Sequence, residues 1–175
     1  MQLTNINISE FEEFYRELKK SFIEDERRDF SDALRLFKDG KYEVRSIISD
    51  GKSVGFISLW HTPDFVFAEH FVIHEEYRSL GLGAKALCEL KRLFSKIVLE
   101  AEPPIEEIAK RRLAFYKRNG FIENEGAYAQ PAYRKGASEV PLVIMSYPER
   151  LENFKSAVAQ IKKTVYSDLG ENNFK

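Results

Sequence analysis

Between His74 and Lys85 the chain reads HEEYRSLGLGAK, in which Arg78 is followed three residues on by Gly81 and then by Gly83. An apolar run that reads as a strand ends just before this segment, and a run that reads as a helix follows it. Glycines at such a junction let backbone N–H groups approach an anion, and a helix N-terminus adds a favourable dipole. For the segment Arg78, Ser79, Leu80, Gly81, Leu82, Gly83 and Ala84 a phosphate is the natural ligand, unless the glycine pair merely makes a turn. The Walker loop is excluded, because four residues must separate its first glycine from Gly-Lys-Ser/Thr and this segment does not supply that. The dinucleotide fingerprint G-x-G-x-x-A is met by Gly81, Gly83 and Ala86, with Glu100 roughly 20 residues downstream. Against it, HEEYRSL separates the strand from the first glycine, and antiparallel hairpins precede the loop where parallel βαβ units are required. The remaining pattern is R-x-x-G-x-G, Arg78 to Gly83.

Other side chains are placed where they could do chemistry. Glu69 stands in FAEHFVIH, an otherwise apolar run, and a carboxylate occupies such a position when it faces a site or when that side of the strand faces water. Glu100 and Glu102, two apart in VLEAEPP, fall on one side of a strand. There they would bind a cationic group or share proton work, or else end the strand in solvent. His61, His70 and His74 follow no ligand spacing, so no metal site is expected, and His74 reads as a surface histidine. Cys88 has no identifiable base partner and reads as a small core filler. EDERRDF, residues 24–30, reads as a solvated charged loop, and Lys155, Lys162 and Lys163 as a solvated helix face.

The elements that must position these groups are legible from pattern. QLTNINI reads as a strand; Ser9 and Glu12 form a capping-box pattern ahead of a helix with Phe11, Phe14, Tyr15, Leu18 and Phe22 at helical spacing. A short helix, SDALRLFK, stops at Asp39 and Gly40. YEVRSIIS and KSVGFISLW flank Asp50-Gly51 and read as a hairpin, and DFVFAEHFVIH as a further strand. After the glycine loop come a helix over AKALCELKRLF and a strand, KIVLEAE, ended by Pro103-Pro104. IEEIAKRRLAFYKRNG carries acidic residues first, basic residues last and Gly120 as its stop. FIENEGAYAQPAYRKG and VPLVIMSYP predict further strands, and Leu151, Phe154, Val158, Ile161 and Val165 form one stripe of a last helix. The fold class expected is α/β (α+β) with a mixed, mostly antiparallel sheet flanked by helices.

With 175 residues, 43% of them hydrophobic, the chain is long enough for one closed core. One domain is expected over residues 1–148, with a helix at 149–169 packed on it and a flexible tail at 170–175. Lys plus Arg number 27 against 28 Asp plus Glu, a balance that argues against broad nucleic-acid binding. The single cysteine, and the lack of any apolar stretch of membrane-spanning length, predict a cytoplasmic protein with no membrane partner. An exposed stripe on the last helix would favour a homodimer.

The loop, with FVIHEEYR before it and AKALCELKRLF after it, resembles the acetyl-CoA pyrophosphate loop of the GNAT N-acyltransferase superfamily. RLAFYKRNGF, Arg112 to Phe121, is similar to that family's A-x-x-F-Y-x-x-x-G-F segment, and the element order also matches. The resemblance implies acetyl-CoA as acyl donor, direct attack by a primary amine of a small molecule or peptide, and no acyl-enzyme. It implies that backbone around Phe71, Val72 and Ile73 pairs with the pantetheine arm, that residues 78–84 wrap the diphosphate, and that Tyr116 protonates the departing sulfur. Glu69 matches a position where family members carry a base. Glu100 and Glu102 would draw in the amine, with Tyr133 and Arg134 in QPAYRKG overhanging the acceptor cleft that EDERRDF also borders. The family's asparagine seven residues before the tyrosine is Ala109 here, and Arg112 is a plausible substitute contact to the coenzyme phosphates. A CoA-binding regulatory module without turnover is the first alternative, and a dinucleotide-dependent oxidoreductase the second.

Overall fold

The computed structural model describes residues 1–134 and 136–169, so the tail expected at 170–175 lies outside the described residues. The chain groups into two compact units, one made of Met1–Trp60 and Ala68–Leu93, the other of His61–Phe67 and the chain from Phe94 onward.

The first unit holds β1 (Gln2–Asn5), α1 (Phe11–Ser21), α2 (Phe30–Lys38), β2 (Glu43–Ser49), most of β3 (Lys52–His61), most of β4 (Val66–Ile73) and α3 (Leu82–Leu93). The strands run in the order β1-β2-β3-β4, with β1 antiparallel to β2 and β2 antiparallel to β3. The β2–β3 turn is the expected one: Ser49 pairs with Lys52, and Asp50 and Gly51 sit at φ 50 and 76. The capping box is real but lies two residues earlier than the sequence pattern suggests. Asn7 accepts from the Ser9 N–H at 2.9 Å and donates its own N–H to Glu10 Oε2 at 2.8 Å, so the chain enters α1 through a short 3-10 turn at Ile8–Glu10. The apolar face of α1 then seats Phe11 against Phe37 at 4.8 Å and Phe14 against Phe56 at 4.8 Å.

From Val54 to Trp60, β3 is buried on both faces, which is why it reads as a nearly continuous apolar run. Gly55 interrupts that run for a steric reason: a Cβ there would overlap the Val72 carbonyl oxygen of β4. Ile47, Val54 and Ala86 form a buried cluster, and Leu3, Phe71, Ile73, Tyr77 and Leu82 pack on it, which fixes the first turn of α3. Cys88 corrects the sequence reading, since it is exposed: Ala86, Leu87 and Leu90 are the buried face of α3 and Cys88 falls off it.

The second unit holds β5 (Ile97–Ala101), α4 (Glu107–Arg118), β6 (Ile122–Glu123), β7 (Tyr128–Gln130), β8 (Val140–Tyr147) and α5 (Phe154–Val165). β5, β6 and β7 each pair antiparallel with β8. α4 buries Ala109, Leu113 and Tyr116 and stops at Gly120, φ 83, as expected. Asn153 caps α5 by accepting from the Ser156 N–H at 2.9 Å, and Ala157, Ile161 and Val165 form its buried stripe. Leu151 is not part of that helix; its N–H donates to Asn124 Oδ1 at 2.8 Å. The fold class is the mixed α/β one with mostly antiparallel strands read from the sequence. Among the described residues no helix is long and apolar enough to cross a membrane.

Candidate active site

Phe71, Val72, Ile73 and residues 78–84 form one continuous approach to the N-terminus of α3 in the first unit. Phe71 and Ile73 turn their side chains into the Ile47 cluster. A 3-10 turn at Glu75–Tyr77 follows β4, and Arg78 folds back to donate from Nε to the Ile73 carbonyl at 3.0 Å. The chain then turns through two left-handed residues, Ser79 at φ 63 and Gly81 at φ 73. For a serine this conformation costs roughly 1 kcal/mol, so the surrounding turn holds it there against local preference. Nothing lies within 4 Å of where a Gly81 Cβ would stand. The first intrahelical bond comes from the Lys85 N–H to the Gly81 carbonyl, which leaves the preceding amides at the positive end of a 12-residue helix. Arg78, Ser79, Leu80 and Gly81 are all exposed. The amides ahead of α3 face an exposed turn, an arrangement able to accept an anion. The antiparallel strands before it and the interposed 3-10 turn remove the dinucleotide alternative.

Glu69 is not solvent-facing. Its Oε1 accepts from Arg28 Nη1 at 2.9 Å and its Oε2 from Trp60 Nε1 at 2.8 Å, with the Arg28 and Glu69 side chains only 4% and 2% exposed. The Arg28 guanidinium also lies over the Trp60 ring, 4.8 Å from its centroid. Beside them His70 is buried, its Nε2 donating to the Glu26 carbonyl at 3.0 Å and its Nδ1 3.1 Å from Ser58 Oγ. EDERRDF is therefore no solvated loop: Arg28 and the Glu26 carbonyl are pinned to β3 and β4, and Tyr15 donates to the Arg28 carbonyl at 2.8 Å. Sequence reasoning missed Arg28, Trp60 and His70 here. The one available signal was Glu69 itself, since a carboxylate in an apolar strand needs a partner.

In the second unit Tyr116 is buried between Phe115 and Phe121, with ring centroids at 5.4 and 5.9 Å. Burial pushes its phenol up to about 12. It is thus fully protonated across any working pH, as a hydrogen-bond or proton donor must be. Glu100 and Glu102 are engaged by different elements: Glu100 accepts from the Tyr128 hydroxyl on β7, whereas Glu102 pairs with Arg112 on α4. Arg112 is accordingly held by a carboxylate. Tyr133 is buried with its ring 5.5 Å from that of Tyr166, and half-buried Arg134 follows it, its carbonyl accepting from the Ala137 N–H. Tyr128 was missed by sequence reasoning, because only the strand pairing brings it to Glu100.

A solved structure from Bacteroides thetaiotaomicron, assigned by name to the GNAT acetyltransferases, is 30% identical and superposes with a TM-score of 0.88 over 95% of this chain and 98% of the other. The chain belongs to the GNAT acetyltransferase family. The GNAT acetyltransferase domain model matches residues 42–123, which includes the glycine turn and Tyr116. YjbC of Bacillus subtilis, named for acetyltransferase activity, is 36% identical over 59 residues; the match spans 33% of this chain and 31% of that curated relative's length. The fold is shared at a greater distance with an aminoglycoside 6'-N-acetyltransferase solved with coenzyme A, 11% identical with a TM-score of 0.53 over 83% of this chain and 96% of that one. In this GNAT chain the glycine loop precedes α3 and Tyr116 lies on α4.

Proposed function

We propose that the chain is a cytoplasmic N-acetyltransferase that moves an acetyl group from acetyl-CoA to a primary amine of a small molecule or peptide by direct attack. The observation that carries this reading is the turn before α3: two left-handed residues, Ser79 and Gly81, opening onto the N-terminus of α3 with Arg78 tied back to Ile73. That geometry fits the diphosphate of coenzyme A, whose amide-rich arm would pair with β4 backbone at Phe71–Ile73. Acetyl-CoA, when bound, supplies an activated acetyl thioester.

The residues of this chain then have three tasks. Backbone N–H groups bind the diphosphate and orient the donor. A carboxylate among Glu69, Glu100 and Glu102 accepts the proton that the ammonium must lose before its nitrogen can attack. Tyr116 holds its proton beside the departing sulfur; with its phenol raised to about 12 and a thiol titrating near 8.5, it stabilises the developing thiolate by hydrogen bonding, and the thiolate takes its proton from solvent after release. Of the carboxylates, Glu69 has both oxygens committed to Arg28 and Trp60, which suits it to holding β4 in place.

The test is calorimetric titration with acetyl-CoA, followed by assay of thiol release with polyamines, amino sugars, aminoglycosides and peptide N-termini as acceptors. Saturable binding and amine-dependent release are expected, with Tyr116→Phe lowering kcat on the order of 100-fold while leaving acetyl-CoA affinity in place. Binding without release from any amine would instead make this a regulatory CoA-binding module, and no binding would overturn the reading altogether.

A further inference from the structure

In the second unit a cleft of about 580 Å³ opens where β6 ends, within the roughly 300–1,000 Å³ typical of small-molecule sites. The apolar part of its lining is Phe121, Ile122 and Val143, the first buried and the other two half-buried. Its backbone is pinned. The Asn124 N–H donates to the Ile144 carbonyl at 2.9 Å, which carries the pairing of β6 with β8 one residue further, and the chain rejoins β8 at Tyr128, opposite Leu142. Asn124, only 7% exposed, donates from Nδ2 to Ser146 Oγ at 2.9 Å and accepts on Oδ1 from the Leu151 N–H at 2.8 Å. Ser146 Oγ in turn donates to the Glu149 carbonyl at 2.6 Å. Gly126 lies so close to the Phe154 ring that a Cβ there would overlap it. The cleft is therefore preformed, as a binding site for a small ligand usually is.

Its charged residues form two pairs: Lys117 Nζ lies 2.7 Å from Glu123 Oε2, and Arg150 Nη1 donates to Glu125 Oε1 at 3.0 Å. They are not equally committed. The Arg150 and Glu125 side chains are 59% and 88% exposed, against 51% and 36% for Lys117 and Glu123, so water screens the Arg150–Glu125 pair more and its separation costs less. Separated, it presents a guanidinium fork and a carboxylate beside an apolar surface. A ligand carrying both a carboxylate and an ammonium would form a charge-assisted hydrogen bond at each end, whereas a singly charged ligand forms one. An apolar side chain on that ligand would cover Ile122 and Val143. Asn124, Glu125, Gly126, Val143 and Arg150 all fall beyond residue 123, where the match to the family model ends.

We propose that this cleft is a binding site for a small zwitterion with an apolar side chain, the class of the free amino acids, which inserts into the Glu125–Arg150 pair. The ligand carboxylate takes the Arg150 guanidinium, its ammonium takes the Glu125 carboxylate, and its side chain lies on Ile122 and Val143. Lys117 and Glu123 stay paired and hold the other charges of the rim in place. The inference goes beyond acetyl transfer and does not depend on it.

The experiment is a titration of the full chain, labelled with nitrogen-15, by L-leucine, L-phenylalanine and glycine at pH 7, with 3-phenylpropanoate and phenethylamine as singly charged counterparts. Saturable shifts of the Glu123–Gly126 amides are expected with leucine and phenylalanine below about 10 mM, and about 10-fold weaker binding with glycine and with each counterpart. Arg150→Gln and Glu125→Gln should each raise Kd about 10-fold, while Lys117→Met should leave it within about twofold. All three positions are exposed, and an unchanged far-UV circular dichroism spectrum reports that each variant is folded. No saturation by leucine or phenylalanine up to about 10 mM would overturn the inference. So would shifts confined to other amides, counterparts that bind as tightly as the amino acids, or a Kd indifferent to Arg150→Gln and Glu125→Gln. None of these readouts involves turnover, so the acetyl-transfer reading stands or falls separately.

Discussion

His70 donates from Nε2 to the Glu26 carbonyl and has its Nδ1 3.1 Å from Ser58 Oγ, so both ring nitrogens have polar partners. Burial lowers its pKa from the ordinary histidine value; the Glu69 charge opposes that, and the Arg28 and Arg27 charges reinforce it. A depressed pKa in the folded state means that the unfolded chain binds the extra proton first. The associated stability is present above about pH 6.5 and is lost as pH falls through the folded value. Urea unfolding followed from pH 8 down to pH 5 should show that loss below about 6.5, and His70→Gln should flatten the slope over the same window. The sequence placed His70 in a strand but gave no reason to bury it, because its partners Glu26 and Ser58 are 44 and 12 residues away. Glu69 was legible as an anomaly and Arg28, 41 residues from it, was not.

At the scale of elements, local signals were reliable where the chain itself sets the geometry. The Asp50-Gly51 turn and the Gly120 stop satisfy backbone groups within a few residues, so residue type alone marks them, whereas the cap read at Ser9 and Glu12 lies at Asn7 and Glu10 because a 3-10 turn precedes α1. The connector between α1 and α2 was misread for the opposite reason: its charge run looks solvated until β3 and β4 supply Trp60 and Glu69. That dependence has a measurable cost. Arg28→Met leaves Glu69 buried without its cation and should destabilise the chain by about 3–5 kcal/mol in urea. Pairing it with Glu69→Leu removes the stranded charge and should recover most of that loss. Trp60 is the sole tryptophan, and its N–H and ring touch both partners, so its emission should shift in each variant even where stability is regained.

For the whole molecule, pattern carried the fold class and motif the position of the glycine turn before α3, because period-2 strands, helical stripes and a glycine turn are local properties. Division into two compact units was not visible, since no Pro/Gly-rich linker marks it and two of the three crossings fall inside strands: β3 crosses at Trp60–His61, β4 at Phe67–Ala68, and the third comes at Leu93–Phe94 where α3 ends. This connectivity bears on cooperativity. Neither unit is a continuous stretch of chain, and a strand cannot melt on one side of a peptide bond without loosening the ladder on the other. Trp60 reports the first unit alone, whereas far-UV circular dichroism reports helices and strands of both. The two probes should give coincident urea transitions, and acetyl-CoA at 100 times its Kd should move both together by about 2.7 kcal/mol. Separate midpoints, or a ligand shift seen only by Trp60, would mean that the units unfold independently and that the donor is held by the first one alone.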